Sequence, residues 1–200
     1  MSLETNTRNT DVSREWLTWA KLIHLFTLLF GNKTLKVLQP QEKFSTIDFD
    51  SLWNDGKRGM ILDVDDCIAP HHGHILPENI VIIQKLLEKE WKIVIFSNMK
   101  KTDRYQDIES LGIHIMTSQY AKPDIRGFEQ CLSHLELPAE QVIMVGDNYV
   151  TDGGSMDAGI DFLRVWALPS AWGFPSFGRI VQVSIRGSVA FLLEFYNQKQ

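Results

Sequence analysis

A chain of 200 residues, 44% apolar and 22% charged, carries about one ordinary globular domain of sequence, and a chain this long buries roughly 70% of its unfolded surface without disulfide or metal staples. Its net charge of −5 excludes a dedicated nucleic-acid binder, and its composition excludes disorder, collagen and coiled coil as whole-chain readings. The aromatic residues are lopsided: 11 of the 21 lie in the flanks 1–31 and 165–200.

Met1 to Ser13 is polar. No basic stretch leads into a clean apolar run and no A-x-A site follows, so a secretory signal is not expected. Cys67 and Cys131 are the two cysteines. Neither has a CxxC or zinc-type neighbourhood, which points to a reducing, cytoplasmic setting. Trp16 to Phe30 reads as a helix, broken in its apolarity by Thr18, Lys21, His24 and Thr27. Its length of about 22 Å falls short of the roughly 30 Å hydrocarbon core, so it does not span a bilayer. The helix is amphipathic at its start and apolar all round at its end. It is either packed on the protein body or a second subunit, or it is an interfacial anchor with Trp16 and Trp19 at headgroup level.

Pro40 to Asp55 reads as a connection with a short helix. From Gly59 onward a rhythm sets in. Apolar runs at Met60–Val64, Lys92–Ser97, Ile113–Thr117, Gln141–Val145 and Asp161–Ala167 read as buried parallel strands. Between them, helices are expected over Pro77–Glu90, Thr102–Leu111 with Gly112 as its stop, Asp124–Leu135 capped by Asp124, and Asp152–Ala158. Strands alternating with helices give an α/β fold: a central parallel sheet of about five strands, helices on both faces. Right-handed crossovers bring all strand ends to one edge, where ligands of open α/β sheets bind. Neither GxxxxGK[ST] nor GxGxxG occurs.

The strand ends carry the chemistry. They hold Asp63-Val64-Asp65-Asp66, Ser97-Asn98, Lys122-Pro123, Gly146-Asp147-Asn148 and Thr151-Asp152. This set fits phosphoryl transfer with a hard cation. Mg²⁺ takes oxygen ligands from one or two carboxylates, and Asp63 and Asp147 offer them, with the Asp65 backbone carbonyl as a further oxygen. A carboxylate also serves as nucleophile on phosphorus, provided that metal and Lys122 neutralise the site. Asp65, two residues from Asp63, is placed to protonate the leaving oxygen and to take a proton from water.

In these residues the chain resembles the phosphatases of the haloacid dehalogenase superfamily. The four motifs are LDVDDC (62–67), FSN (96–98), AKP (121–123) and VGDNYVTD (145–152). The resemblance covers about residues 59–167 and implies the superfamily's Rossmann-like fold. It implies Asp63 as nucleophile, Asp65 as general acid/base, Ser97 and Asn98 on the phosphoryl group, and Lys122 fixing its charge. Asp63, Asp65, Asp147 and Asp152 then make the Mg²⁺ site, Asp152 supporting either the metal or the lysine. Cys67 departs from the usual Thr or Val and reads as a small packed residue.

Only 33 residues separate Asp63 from Ser97 and 24 separate Ser97 from Lys122. Each gap holds one helix and one strand, leaving no room for a cap domain, so the site is expected open. An open site suits a large substrate or a membrane headgroup. The stretch from Leu38 through Phe44–Asp50 and Gly56–Gly59, with GDNYVTDGG, is similar to capless phosphatidylglycerophosphate phosphatases. That similarity implies an anionic phospholipid as substrate. A phosphoprotein, nucleotide or sugar phosphate is the alternative substrate, and a non-catalytic membrane or oligomeric protein is the alternative class.

His71, His72 and His74 read as solvated loop residues. Lys100, Lys101 and Arg104 read as a solvated helix start able to receive an anionic headgroup. Arg164, Arg179, Arg186 and Lys199, facing only Glu194, suit an anionic membrane surface. The chain thus divides into an arm and apolar helix (1–37), a phosphatase domain (38–170) and an aromatic tail (171–200). The flanks leave a membrane surface and self-association open.

Overall fold

The first strand, β1 (Gly59–Leu62), is apolar throughout and buried on both faces. β2 (Lys92–Ile95), β3 (His114–Ile115), β4 (Val142–Gly146) and β5 (Asp161–Arg164) complete a parallel sheet in the order β3-β2-β1-β4-β5. β1 is central, with Met60 beside Ile93 and Ile143, and Leu62 beside Ile95 and Val145. This is the expected five-strand parallel α/β sheet. The computed structural model describes residues 18–30, 36–71, 73–99, 105–169 and 177–197. The expectations at Met1–Ser13, Trp16, His72, Lys100, Lys101, Arg104 and Lys199, and at the Arg179 side chain, lie outside what is described.

Strand side chains alternate between two cores, as a two-residue period requires. One face carries Met60, Leu62, Ile93, Ile95, Ile143, Val145 and Leu163. There α2 (Phe49–Asn54) packs through Leu52, α3 (Pro77–Glu88) through Ile83 and Leu86, and α4 (Gln106–Ser110) through Ile108. The other face carries Ile61, Val94, Phe96, Val142, Met144 and Phe162. It is covered by α5 (Ile125–Leu135) through Phe128, Cys131 and Leu135.

Local chemistry sets the helix ends. Asp48 accepts the Ser51 backbone N–H at 3.0 Å and starts α2. Pro77 opens α3, where its missing N–H costs nothing. Asp124 accepts the Arg126 N–H at 3.0 Å and caps α5 as expected. After α4 the chain turns at Gly112, φ +78°, again as expected. The segment 152–158 is a 3-10 helix rather than an α-helix. Two glycines are fixed there by space, since a Cβ at Gly146 would strike the Asp152 carboxylate and one at Gly154 the Pro123 backbone.

Both flanks are helical. α1 (Trp19–Phe30) and α6 (Phe177–Asn197) lie on the α5 face, where Leu28, Val189, Ala190 and Leu193 join the same core. Within the aromatic tail, Phe177–Asn197 forms a 21-residue helix. Among the described residues, no helix is long and apolar enough to cross a membrane. The segments linking β1 to β2 and β2 to β3 hold α3 and α4, and no additional domain appears between these strands among the described residues.

Candidate active site

The C-terminal ends of β1 and β4 bring Asp63 and Asp147 side by side. Asp63 continues the ladder, its N–H donating to the Val145 carbonyl at 2.9 Å. Asp152, at the start of the 3-10 helix, accepts the Asn148 N–H at 3.1 Å and is fully buried. Oxygens of Asp63, Asp147 and Asp152 lie within 4.8 Å of one another. The absence of a side chain at Gly146 lets Asp152 come this close to β4.

Lys122 enters this cluster from the loop after β3. Its Nζ lies 2.8 Å from Asp63 Oδ1 and 2.5 Å from Asp152 Oδ1, with only 2% of the residue exposed. Asn98 fixes the lysine's backbone from both sides: its Nδ2 donates to the Lys122 carbonyl at 3.0 Å and its Oδ1 accepts the Lys122 N–H at 2.8 Å. The geometry thus gives Asn98 a holding task. Ser97, buried at the end of β2, accepts the Met99 N–H at 3.2 Å and has its hydroxyl at the same sheet edge. The sequence-derived residues Asp63, Lys122, Asp147 and Asp152 are brought together. Asp65 sits half-buried in the tight turn after β1, where Asp66 adopts φ +64°. Its side chain is not in the carboxylate cluster.

Arg186 is the residue that sequence reasoning placed elsewhere. Instead of facing a membrane, its Nη1 lies 3.1 Å from Asp147 Oδ2 and 3.3 Å from Asp66 Oδ2. Arg164 also turns inward, with Nε 2.6 Å from Glu194 Oε1. Two of the four tail cations are therefore spent on internal carboxylates, because a half-buried guanidinium needs an anionic partner. A signal existed: Arg186, Val189, Ala190 and Leu193 fall at i, i+3, i+4 and i+7, one face of a helix. Among the loop histidines, His71 is half-buried with Nδ1 3.8 Å from Asp66 Oδ2, and His74 is exposed. Cys67 is buried with its thiol pushed up by burial, as fits a packed residue.

Four carboxylates (Asp63, Asp66, Asp147, Asp152) surround two cations (Lys122, Arg186). Burial, with Asp152 and Asp147 adding to it against the pull of Lys122, pushes Asp63 up to about 8. Burial, with Asp152 and Asp66 adding to it against Arg186, pushes Asp147 up to about 7. Lys122 is held charged by Asp152 and Asp63 although burial opposes it. The surplus of buried negative charge, all on hard oxygen ligands, fits a divalent cation such as Mg²⁺.

Raised carboxylate pKa values have a defined consequence. The unfolded chain loses these protons near pH 4 and the folded metal-free chain keeps them until pH 7 to 8. The stability they contribute is fully present below about pH 4, falls as pH rises, and is gone above about pH 8. A cation must displace the same protons. Mg²⁺ titration by calorimetry is expected to show proton release at pH 7 and tightening of about tenfold per unit from pH 6 to 7 for each proton displaced. Affinity independent of pH would contradict the site.

Over residues 13–156 the sequence matches the family described as haloacid dehalogenase-like hydrolases. The chain belongs to this family. As a member it is a hydrolase, and its buried Asp63, Asp147 and Asp152 could hold a divalent cation. No curated protein matches the sequence. Among solved structures, the hydrolase is similar to a cobalt-bound deoxy-D-mannose-octulosonate 8-phosphate phosphatase from Haemophilus influenzae: identity 18%, 52% of this chain and 66% of that one, TM-score 0.45. It is also similar to 3-deoxy-D-manno-octulosonate 8-phosphate phosphatase from Yersinia pestis: identity 16%, 72% and 87% of the two chains, TM-score 0.45. A hypothetical protein from Xanthomonas campestris aligns at 13% identity over 66% and 77%, TM-score 0.48.

The glycine of the 3-10 helix provides a separate check on the site's frame. Gly154→Ala forces a methyl group into the Pro123 backbone, next to Lys122. It is expected to cost about 1–3 kcal/mol or more and to lower turnover together with the melting temperature. An alanine variant as stable as the parent would contradict the packing.

Proposed function

We propose that this hydrolase cleaves phosphomonoesters through an aspartyl-phosphate on Asp63, in an open, capless site, and that its substrate is a lipid phosphate such as phosphatidylglycerophosphate. The observation that carries the chemistry is the buried Asp63–Lys122–Asp152 chain, with Nζ 2.8 and 2.5 Å from the two carboxylates and Asp147 beside it. A carboxylate approaching a dianionic phosphate needs such charge neutralisation.

In the first step an Asp63 oxygen forms a bond to phosphorus as the bond to the ester oxygen breaks, and Asp65 gives that oxygen a proton. In the second, water attacks the phosphorus of the acyl phosphate, Asp65 takes the proton, and Asp63 leaves as carboxylate. Lys122 and the Ser97 hydroxyl hold phosphoryl oxygens. Asn98 keeps Lys122 in place, and Asp152 orients its ammonium. The Asp63 and Asp147 carboxylates, with the Asp65 backbone carbonyl, hold Mg²⁺, which when bound supplies positive charge to the transferring group.

The lipid reading is supported by where the exposed apolar residues lie. Of the 14 exposed large hydrophobic residues among the described ones, 11 are on α1 and α6, among them Trp19, Phe26, Phe30, Ile185, Phe191 and Phe195. α6 also sends Arg186 into the site. An apolar face on an element that lines the site favours a substrate embedded in a lipid surface. The exposed apolar residues of α1 and α6 then meet the membrane beside a phosphatase body of 38–170.

Phosphate release is measured with Mg²⁺ on vesicle-embedded phosphatidylglycerophosphate, sugar phosphates, nucleotides, a phosphopeptide and an aryl phosphate. The lipid is expected to have the highest kcat/KM, and the protein to float with anionic vesicles. A sugar phosphate preferred over the lipid, without flotation, would replace the lipid reading.

A further inference from the structure

Arg186 does more than neutralise Asp147. α6 is seated firmly enough to aim it: Arg164 Nε and Nη2 lie 2.6 and 3.3 Å from the Glu194 carboxylate, Tyr149 Oη donates to Glu194 at 3.2 Å, and Val189, Ala190 and Leu193 are buried. A single nitrogen, Nη1, makes both carboxylate contacts. The Nε and Nη2 donors have no hydrogen-bond partner among the described residues, and the side chain is 23% exposed. The guanidinium therefore keeps donors in reserve on a partly exposed side chain, one carboxylate away from Asp63.

We infer that Arg186 is a substrate-binding residue that takes a second anionic group, a phosphodiester or a carboxylate, carried by the substrate next to its phosphomonoester. The inference rests on the phosphatase reading of the site. When a divalent cation takes Asp147, Arg186 keeps Asp66 as its carboxylate partner through Nη1, and the rest of its fork is left for an incoming anion. A half-buried guanidinium in that position is stabilised by an anion delivered with the substrate, and its planar fork suits the oxygens of either group.

The full-length protein, Arg186→Ala and Arg186→Lys are compared with Mg²⁺ on three substrates. Short-chain phosphatidylglycerophosphate carries a neighbouring phosphodiester, a phosphorylated sugar acid a carboxylate, and an aryl phosphate neither. Arg186→Ala is expected to lower kcat/KM for one of the two doubly anionic substrates about tenfold to a hundredfold more than for the aryl phosphate, mainly through KM, the loss of one charge-assisted hydrogen-bonded pair. Arg186→Lys is expected to recover part of that ratio. Which substrate shows the effect identifies the second anion.

Calorimetric Mg²⁺ titration gives an independent readout. Removing a like charge beside the cation site is expected to tighten Mg²⁺ binding, by about tenfold. A residue that merely clamps Asp147 would have the opposite effect, and weaker binding overturns the inference. An equal loss on all three substrates overturns it too. If Arg186→Ala does not fold, the Arg186→Lys ratio and titration decide. If the unmodified protein hydrolyses none of the three, the phosphatase reading itself fails. If it hydrolyses them and the ratio does not move, the Arg186 inference alone fails.

Discussion

Asp63→Asn is expected to abolish turnover, by about 10⁴-fold or more, because an amide cannot carry the phosphoryl group and its loss removes the covalent route as a whole. The fold is expected to survive. Burial already pushes the Asp63 carboxyl up to about 8, so at pH 7 the metal-free site holds this group neutral much of the time, and asparagine copies the neutral form in nearly the same volume. Thermal melts in a chelator at pH 7 are therefore expected to place the variant level with the parent or above it. Above pH 8 the parent carries the extra buried charge, and the variant gains relative to it. Added Mg²⁺ is expected to stabilise the parent and to stabilise the variant less, one carboxylate having been withdrawn. Phosphate release with Mg²⁺ and paired melts check all three statements. An active variant would remove Asp63 as nucleophile.

The sheet was legible because its signals are local. Met60–Leu62, Ile93–Ile95 and Val142–Val145 are apolar without interruption, and only a strand covered on both faces tolerates that. The strand ends observed at 62, 95 and 146 fall within two residues of those expected. Asp124 and Gly112 mark helix ends through one side-chain bond and one positive φ, and both signals are contained in a few residues. The carboxylates and Lys122 were legible because a parallel sheet delivers every strand end to one edge.

The unread parts depend on long-range contacts. Arg186 meets Asp147 and Asp66 across 39 and 120 positions of sequence; the helical spacing places it on the packed face of α6 but does not name its partners. The tail from Phe177 carries Gly178 and Gly187 and a run of β-branched residues from Ile180 to Val189. These depress helix propensity. The helix exists because Val189, Ala190 and Leu193 find a core to join. Packing has overridden propensity, and the same packing turns Arg164 and Arg186 toward Glu194 and Asp147.

Lys122→Met is expected to have the largest effect on the fold. Lys122 Nζ is the shared partner of Asp63 and Asp152, at 2.8 and 2.5 Å, in a site where Asp152 is fully buried. Methionine fills the space and leaves Asp152, and Asp63 whenever it is ionised, without the ammonium partner. Breaking a buried pair in this way costs about 3–5 kcal/mol, which for a chain of this size lowers the melting temperature by about 6–20 °C. The deficit is expected to be larger above about pH 8 than below it. Lys122 is what pulls the Asp63 carboxyl down against burial, so without it the folded-state value rises further. Parent and variant both hold the Asp63 proton below about pH 8, so the penalty is level there and grows above pH 8, where the parent has lost that proton and the variant still holds it. Lys122→Arg is not expected to rescue, because a planar fork cannot occupy the tight gap between two carboxylates that a single ammonium bridges. A second substitution, Asp152→Asn, removes one of the stranded charges and is expected to return part of the lost stability without returning turnover. Melts of the single and double variants from pH 6 to 10, beside phosphate release, measure each of these. A penalty that does not change with pH would mean that volume rather than charge holds Lys122 in place.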